Sequence, residues 1–299
     1  MSDRDAPAAQ ALDWVARQVG STVETTRELS GGKSSAVHAI SVGGEEFVLR
    51  QFVNPKWLAR EPDLATREAA ILRLLERSEV PTPRLIAVDG DGSESGHPTV
   101  LMSLMPGEIV LDPDDAGPWL DAMASVAIAV HAVAVIPDEL PQTYYRYIDD
   151  EALTVPAWSH EPDVWRAAFD VLQEPPPAYE ERFIHRDFHA ANILWQGGSI
   201  SGIVDWVNAC RGPAGVDVGH CRRNLALLHG VNTAEDFRAA YERLSGLKQD
   251  PYWDLMTAVE VLPEPEMFSG WTDLGAPTID SETLRARMDD YVASIVERL

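Results

Sequence analysis

The residues best suited to chemistry lie in one run, His185-Arg186-Asp187-Phe188-His189-Ala190-Ala191-Asn192. It fits H-R-D-x-x-x-x-N, a spacing made for phosphoryl transfer. A carboxylate must orient an acceptor hydroxyl and take its proton, which is the role expected of Asp187. An amide oxygen must hold the magnesium ion that screens the phosphates, which is the role expected of Asn192. A second carboxylate, Asp205, follows the apolar run Ile203-Val204 at a hairpin's distance from Asn192. A strand end supports a ligand rigidly, so Asp205 is the second expected ligand of Mg2+. Its neighbours Trp206 and Val207 stand where the D-F-G motif has Phe and Gly.

Two looser elements could serve a nucleoside triphosphate, ATP or GTP. Ser30, Gly31, Gly32, Lys33 and Ser34 form a short glycine-rich segment whose backbone N–H groups could approach phosphates. Read alone, two glycines are a turn. Arg50 ends the apolar run Glu46-Phe47-Val48-Leu49, and Glu68 opens a helical pattern. A strand cation paired with a helix glutamate reaches nucleotide phosphates. Read alone, these are an exposed strand arginine and a first-turn glutamate favoured by the helix dipole.

The elements that must position these groups can be read from periodicity. Asp13 to Val19 reads as a short helix ending at Gly20. Ala36 to Val42 and Glu46 to Phe52 read as strands joined by the turn Gly43-Gly44. Arg67 to Arg77 is an amphipathic helix, and Leu85 to Val88 and Thr99 to Leu104 are further strands. After Pro106-Gly107 the pattern turns helical: Ala116–Val133, Asp163–Leu172, Val216–His229, Ala234–Leu244, Tyr252–Leu262 and Ser281–Leu299. Ile193–Trp195 and Ile200–Val204 interrupt it as a small hairpin around Gly197-Gly198. The class expected is α+β, with a strand-rich part over 1–104 and a helix-rich part over 105–299, joined near Met105 where a cleft is natural.

Charge narrows the partners. The net charge is −24, so nucleic acid and anionic membrane surfaces are disfavoured and a cationic acceptor is electrostatically favoured, although acidity also serves solubility alone. The two cysteines, Cys210 and Cys221, have no zinc-ligand spacing, and the first ten residues lack the order of a signal peptide. The apolar stretch Met123 to Ile136 is too short to span a bilayer, so a soluble cytoplasmic protein is expected. Asp149, Asp150, Glu151, Glu260, Glu264 and Glu266 could line a pocket for a polycation, and Trp253, Phe268 and Trp271 could line a pocket too. The plainer readings are solvated acids and core aromatics.

From about Leu29 to about His229 the chain resembles the aminoglycoside phosphotransferase-like enzymes. The resemblance is carried by His185, Asp187, His189 and Asn192, by Val204-Asp205-Trp206, and by Gly212-Pro213-Ala214-Gly215-Val216-Asp217-Val218-Gly219. It implies a bilobal protein-kinase-like fold, ATP (or GTP) and Mg2+ as cofactors, and a hinge at Met102-Ser103-Leu104-Met105. There, backbone groups of Ser103 and Met105 would meet the purine edge. It implies that Asp217 braces the catalytic loop and that the helical region builds the acceptor site. The acceptor implied is a hydroxyl of an antibiotic such as an aminoglycoside, or of a sugar or amino alcohol. Arg50 departs from the pattern, which most often has lysine there. A regulatory pseudokinase and a protein kinase are the alternatives. Intact Asp187, Asn192 and Asp205 oppose the first, and the lack of an A-P-E motif opposes the second. Monomer and homodimer are both compatible.

Overall fold

The computed structural model describes residues 7–29, 35–134, 137–148, 153–265 and 269–299. Ser30, Gly31, Gly32, Lys33 and Ser34 lie outside the described residues, as do Asp149, Asp150, Glu151, Glu266 and Phe268. The chain forms two compact units, residues 1–108 with 194–208 and residues 109–193 with 209–299.

The first unit begins with α1 (Ala9–Val19), β1 (Val23–Glu28), β2 (Ser35–Val42), β3 (Glu45–Phe52), α2 (Pro55–Arg60), α3 (Leu64–Leu75), β4 (Leu85–Asp89), β5 (Thr99–Ser103) and the short β6 (Glu108–Ile109). Five strands make one antiparallel sheet in the order β1-β2-β3-β5-β4. Gly43 and Gly44 take φ of 61° and 82°, the left-handed pair that a two-residue hairpin needs. α1 buries Ala11, Trp14 and Val15, spaced three and four apart on one helix face, against Ile40, Val42, Phe47, Leu49 and Leu101 of the sheet. It starts at Ala9, four residues earlier than the apolar pattern alone suggests, and ends on Gly20 at φ 79°. β1 and α2 had no sequence signal. β1 is Val-Glu-Thr-Thr-Arg-Glu, an almost wholly exposed edge strand without alternation. α2 forms because Asn54 caps it, its side chain accepting the N–H groups of Lys56 and Trp57.

The second unit contains α4 (Ala116–His131), α5 (Pro162–Gln173) and β7 (Glu181–Ile184). The hairpin β8 (Ile193–Gln196) and β9 (Ser199–Ile203) follows in the chain and belongs, from Leu194 on, to the first unit. The chain continues through β10 (Cys210–Pro213), α6 (Ala214–His229), α7 (Val231–Ser245), α8 (Pro251–Ala258), α9 (Ser269–Asp273) and α10 (Ser281–Val296). β10 pairs antiparallel with β7, Cys210 opposite Ile184, which ties together the two ends of the segment 185–209. Neither strand was foreseen, since each has four residues and no alternation. The helix expected over Tyr252–Leu262 ends at Ala258 and passes into a 3-10 turn, Val259–Val261. Trp253 and Trp271 are buried and belong to the core. No helix among the described residues is long and apolar enough to cross a membrane.

Candidate active site

The catalytic loop leaves β7 after Ile184 and is held by one buried carboxylate from α6. Asp217, 0% exposed, accepts the His185 N–H at Oδ2 and the Arg186 N–H at Oδ1, each at 2.7 Å. His131 of α4 meets Oδ2 through Nε2 at 3.1 Å. Burial alone would push this carboxyl up, but the hydrogen bond and charge of His131 and the loop around His185 outweigh it, and the net direction is down. The clamp holds a backbone that resists its conformation, because Arg186 sits at φ 73° without being glycine. The Arg186 side chain is fixed as well. Its guanidinium donates to the Tyr145 carbonyl at 3.1 Å and to Glu260 at 3.2 Å, and lies 4.6 and 3.9 Å from the ring centres of Tyr144 and Tyr147.

Asp187 follows with its side chain 29% exposed. His220 Nε2 lies 3.0 Å from Oδ1, and His189 Nε2 lies 3.6 Å from the same oxygen. Asn192 donates from Nδ2 to the Asp187 carbonyl at 2.9 Å and reaches Oδ2 at 3.4 Å. Spending Nδ2 in this way leaves the amide oxygen of Asn192 as the group able to accept a cation. Burial opposes the Asp187 charge, yet the imidazoles of His189 and His220 outweigh it and hold the carboxyl well below the usual range. Burial pushes His189 down to about 4 against the pull of Asp187. Burial and the Arg223 charge also lower His220. The state at neutral pH is an ionised Asp187 between two neutral imidazoles, and the group titrates as a unit.

This state has a measurable consequence. Between the ordinary histidine value and the lowered native one, the unfolded chain binds protons that the native chain refuses. For His189 stability therefore falls as pH drops from about 6.5 to about 4, by at most about 1.4 kcal/mol per pH unit, and the lowered His220 acts in the same direction. Urea midpoints measured from pH 7.5 to 4.5 should fall with decreasing pH. A midpoint that rises or stays level over this range contradicts the neutral assignment.

In the first unit, Arg50, Glu68 and Asp205 come together. Arg50 lies on β3 in register with Val37 of β2 and Val100 of β5. Its Nη1 lies 2.6 Å from Glu68 Oε1 and 2.9 Å from Asp205 Oδ1, and its Nε donates to Ser35 Oγ at 3.2 Å. Asp205 stands two residues beyond the end of β9, which stops at Ile203, one residue earlier than the apolar run suggests, and adopts φ 67°. Its buried Oδ1 accepts no hydrogen bond, the Arg50 contact being ionic only. One cation cannot compensate two carboxylates, and burial pushes the deeper one, Glu68, up to about 7 while Arg50 pulls it the other way. Arg50→Met strands Glu68 without a cation and should cost about 3–5 kcal/mol, read as a fall in urea midpoint at unchanged slope.

The remaining expectations place as follows. Ser103 is the last residue of β5, with its N–H on the Arg84 carbonyl at 2.9 Å and its hydroxyl accepting the Arg84 N–H at 2.9 Å. Met105 lies so close to Gly202 that a Cβ there would meet its side chain at 3.1 Å. Among the acidic candidates, Glu260 is paired with Arg186 and with Arg223, and Glu264 with Arg285. Sequence reasoning missed His220 entirely. The available signal was its place three residues after Asp217, one helical turn along the same face of α6.

The model of the phosphotransferase enzyme family matches residues 25–258, most of the chain. This chain belongs to that family. The enzyme is thus a phosphotransferase acting on a hydroxyl group, and the resemblance carried by the catalytic loop is borne out. A comparison with curated proteins returns no match. Among solved structures, the phosphotransferase is similar to a candidate aminoglycoside phosphotransferase from Ralstonia eutropha JMP134, at 16% identity over 98% of this chain and 99% of that one, with a TM-score of 0.64. It is similar to a thermostable mutant of aminoglycoside phosphotransferase APH(4)-Ia in ternary complex with ADP and hygromycin B, at 18% identity over 97% and 98%, TM-score 0.62. It is also similar to APH(2")-IIa in its streptomycin–ATP ternary complex, at 13% identity over 85% and 90%, TM-score 0.60. At these identities the likeness is one of fold, and it agrees with the α+β, kinase-like class expected of this phosphotransferase.

Proposed function

We propose that this phosphotransferase moves the γ-phosphoryl group of ATP to a hydroxyl of a small molecule, with Asp187 as the base. The observation that carries the reading is the placement of Asp187: partly exposed, 3.0 Å from His220 Nε2, and set on a loop clamped by a buried carboxylate. The acceptor O–H donates to the Asp187 carboxylate. The acceptor oxygen forms its bond to Pγ as the bond from Pγ to the β–γ bridging oxygen breaks and ADP departs. The proton passes to Asp187 late, because little charge reaches the nucleophile in a loose transition state. Most of the acceleration then comes from positioning and fixed charge.

The chemistry of the donors fits magnesium. An amide oxygen at Asn192 and the carboxylate of Asp205 are hard ligands of the kind Mg2+ takes. Magnesium, once bound, neutralises charge on the phosphate oxygens. Arg50 uses Nε and Nη1 in the contacts described, which leaves Nη2 to turn toward a phosphate as the fork of an arginine allows. Ser103 and Met105 keep the role of meeting the base through backbone groups, and Ser30 to Ser34 that of a phosphate loop.

The solved relatives that hold hygromycin B and streptomycin make aminoglycosides the first acceptor class to try, and the net charge of −24 favours a cationic molecule. The experiment is ADP release from MgATP across panels of aminoglycosides, other antibiotics, sugars and amino alcohols. The expected result is release that requires both Mg2+ and one acceptor class, with phosphate appearing on that acceptor. Labelling of protein substrates with no small-molecule acceptor would overturn the reading.

A further inference from the structure

We propose that His220 is a positioning residue, whose Nε2–H donates to Asp187 Oδ1 and fixes the carboxylate with Oδ2 turned to the incoming hydroxyl. This rests on Asp187 being the base. The contact is 3.0 Å, and His220 is 9% exposed on α6. Asp217, one turn earlier on that helix, holds the loop backbone, so a single rigid element sets both the main chain and the side chain of the base.

The ring has little freedom to do anything else. Arg223 Nη2 lies 3.2 Å from both of its nitrogens. Equal distances at that range put the guanidinium nitrogen over the ring face, since an in-plane approach would collide with the carbon between the nitrogens. A cation there disfavours an imidazolium, so the ring carries one proton, and an ionised Asp187 can only accept. The proton therefore sits on Nε2. Arg223 is anchored in turn, donating to the Thr257 carbonyl at 2.8 Å and to Glu260 at 3.3 Å. Glu260 Oε2 stands 4.0 Å from His220 Nδ1. Glu260 thus anchors Arg223 and stands beside the ring of His220. His189 cannot substitute, because its Nδ1 accepts the Ala191 N–H and its Nε2 is 3.6 Å from Oδ1, beyond hydrogen-bond range.

Two measurements test this, and neither needs the natural acceptor. Long-range 1H–15N spectra of the histidine rings at pH 7.5 should show His220 as the neutral Nε2–H tautomer, with an Nε2 signal that moves in Asp187→Asn. An Nδ1–H tautomer, or a signal indifferent to Asp187→Asn, overturns the proposal. The kinetic measurement uses MgATP with water as the acceptor. His220→Leu should lose roughly 10- to 100-fold in kcat with the KM for ATP unchanged, the scale of a displaced catalytic group. His220→Gln keeps an N–H donor at the Nε2 position and should recover most of that loss. Equal losses in the two variants, at matched thermal midpoints, overturn the proposal. Native-rate hydrolysis by Asp187→Asn would instead sink the base assignment itself. An inactive Asp187→Asn beside a fully active His220→Leu would sink only the positioning role.

Discussion

Asp187→Ala is expected to lose about 10²- to 10⁴-fold of its phosphoryl transfer while binding ATP as tightly as the native protein. In the proposed mechanism this carboxylate orients and deprotonates the acceptor, and the two other carboxylates that touch the loop are committed, Asp217 to two N–H groups and His131, Glu260 to Arg186 and Arg223. Alanine leaves the loop backbone in place, since Asp217 holds residues 185 and 186 and not the Asp187 side chain. The effect should therefore fall on kcat and leave the nucleotide alone. ADP release under saturating acceptor and calorimetric ATP binding check the two halves. Turnover retained within a few-fold would remove Asp187 from the mechanism.

Asp217→Asn should damage both stability and rate. The native carboxylate serves two N–H donors and an imidazole, and an amide offers one oxygen. One loop N–H would face an NH2 group in a fully buried site. Losing a charge-assisted bond and orphaning a donor costs about 2–4 kcal/mol. Because the clamp holds Arg186 at φ 73°, the relaxed loop should also carry Asp187 away from its bearing on His220 and Asn192. A rate loss on the order of 10²-fold, measured at a temperature where the variant stays folded, is the expected companion. The sign with pH follows from the lowered carboxyl. Its contribution is complete above the unfolded value of about 4 and disappears as pH falls through the lower native one, so native and variant stabilities should converge in acid. Identical urea midpoints at pH 7 would show that the clamp carries no load.

What could be read before any coordinates were those features that local chemistry dictates. Asp187 and Asn192 stand out because few functions need those two types five residues apart, whereas Arg50 and Glu68 were legible only alongside those motifs, since read alone they are an ordinary strand arginine and a first-turn glutamate. The long helices followed from apolar periodicity, and the β2–β3 hairpin from two glycines. The polar edge strand β1 and the four-residue strands β7 and β10 did not, because their pairing is decided by a partner strand and not by their own composition.

The amino-acid sequence by itself determined the reaction class, since the motif that carries it depends on residue type and short spacing. Only the tertiary structure decided what state those groups are in. That His220 reaches Asp187 across 33 positions of chain, that Glu260 is consumed by two arginines instead of facing a polycation, and that one guanidinium is shared by Glu68 and Asp205 are all outcomes of packing. Burial and charge act through distance in space. Periodicity along the chain carries no information about that distance between α6 and the loop after β7, or between β3 and the turn beyond β9.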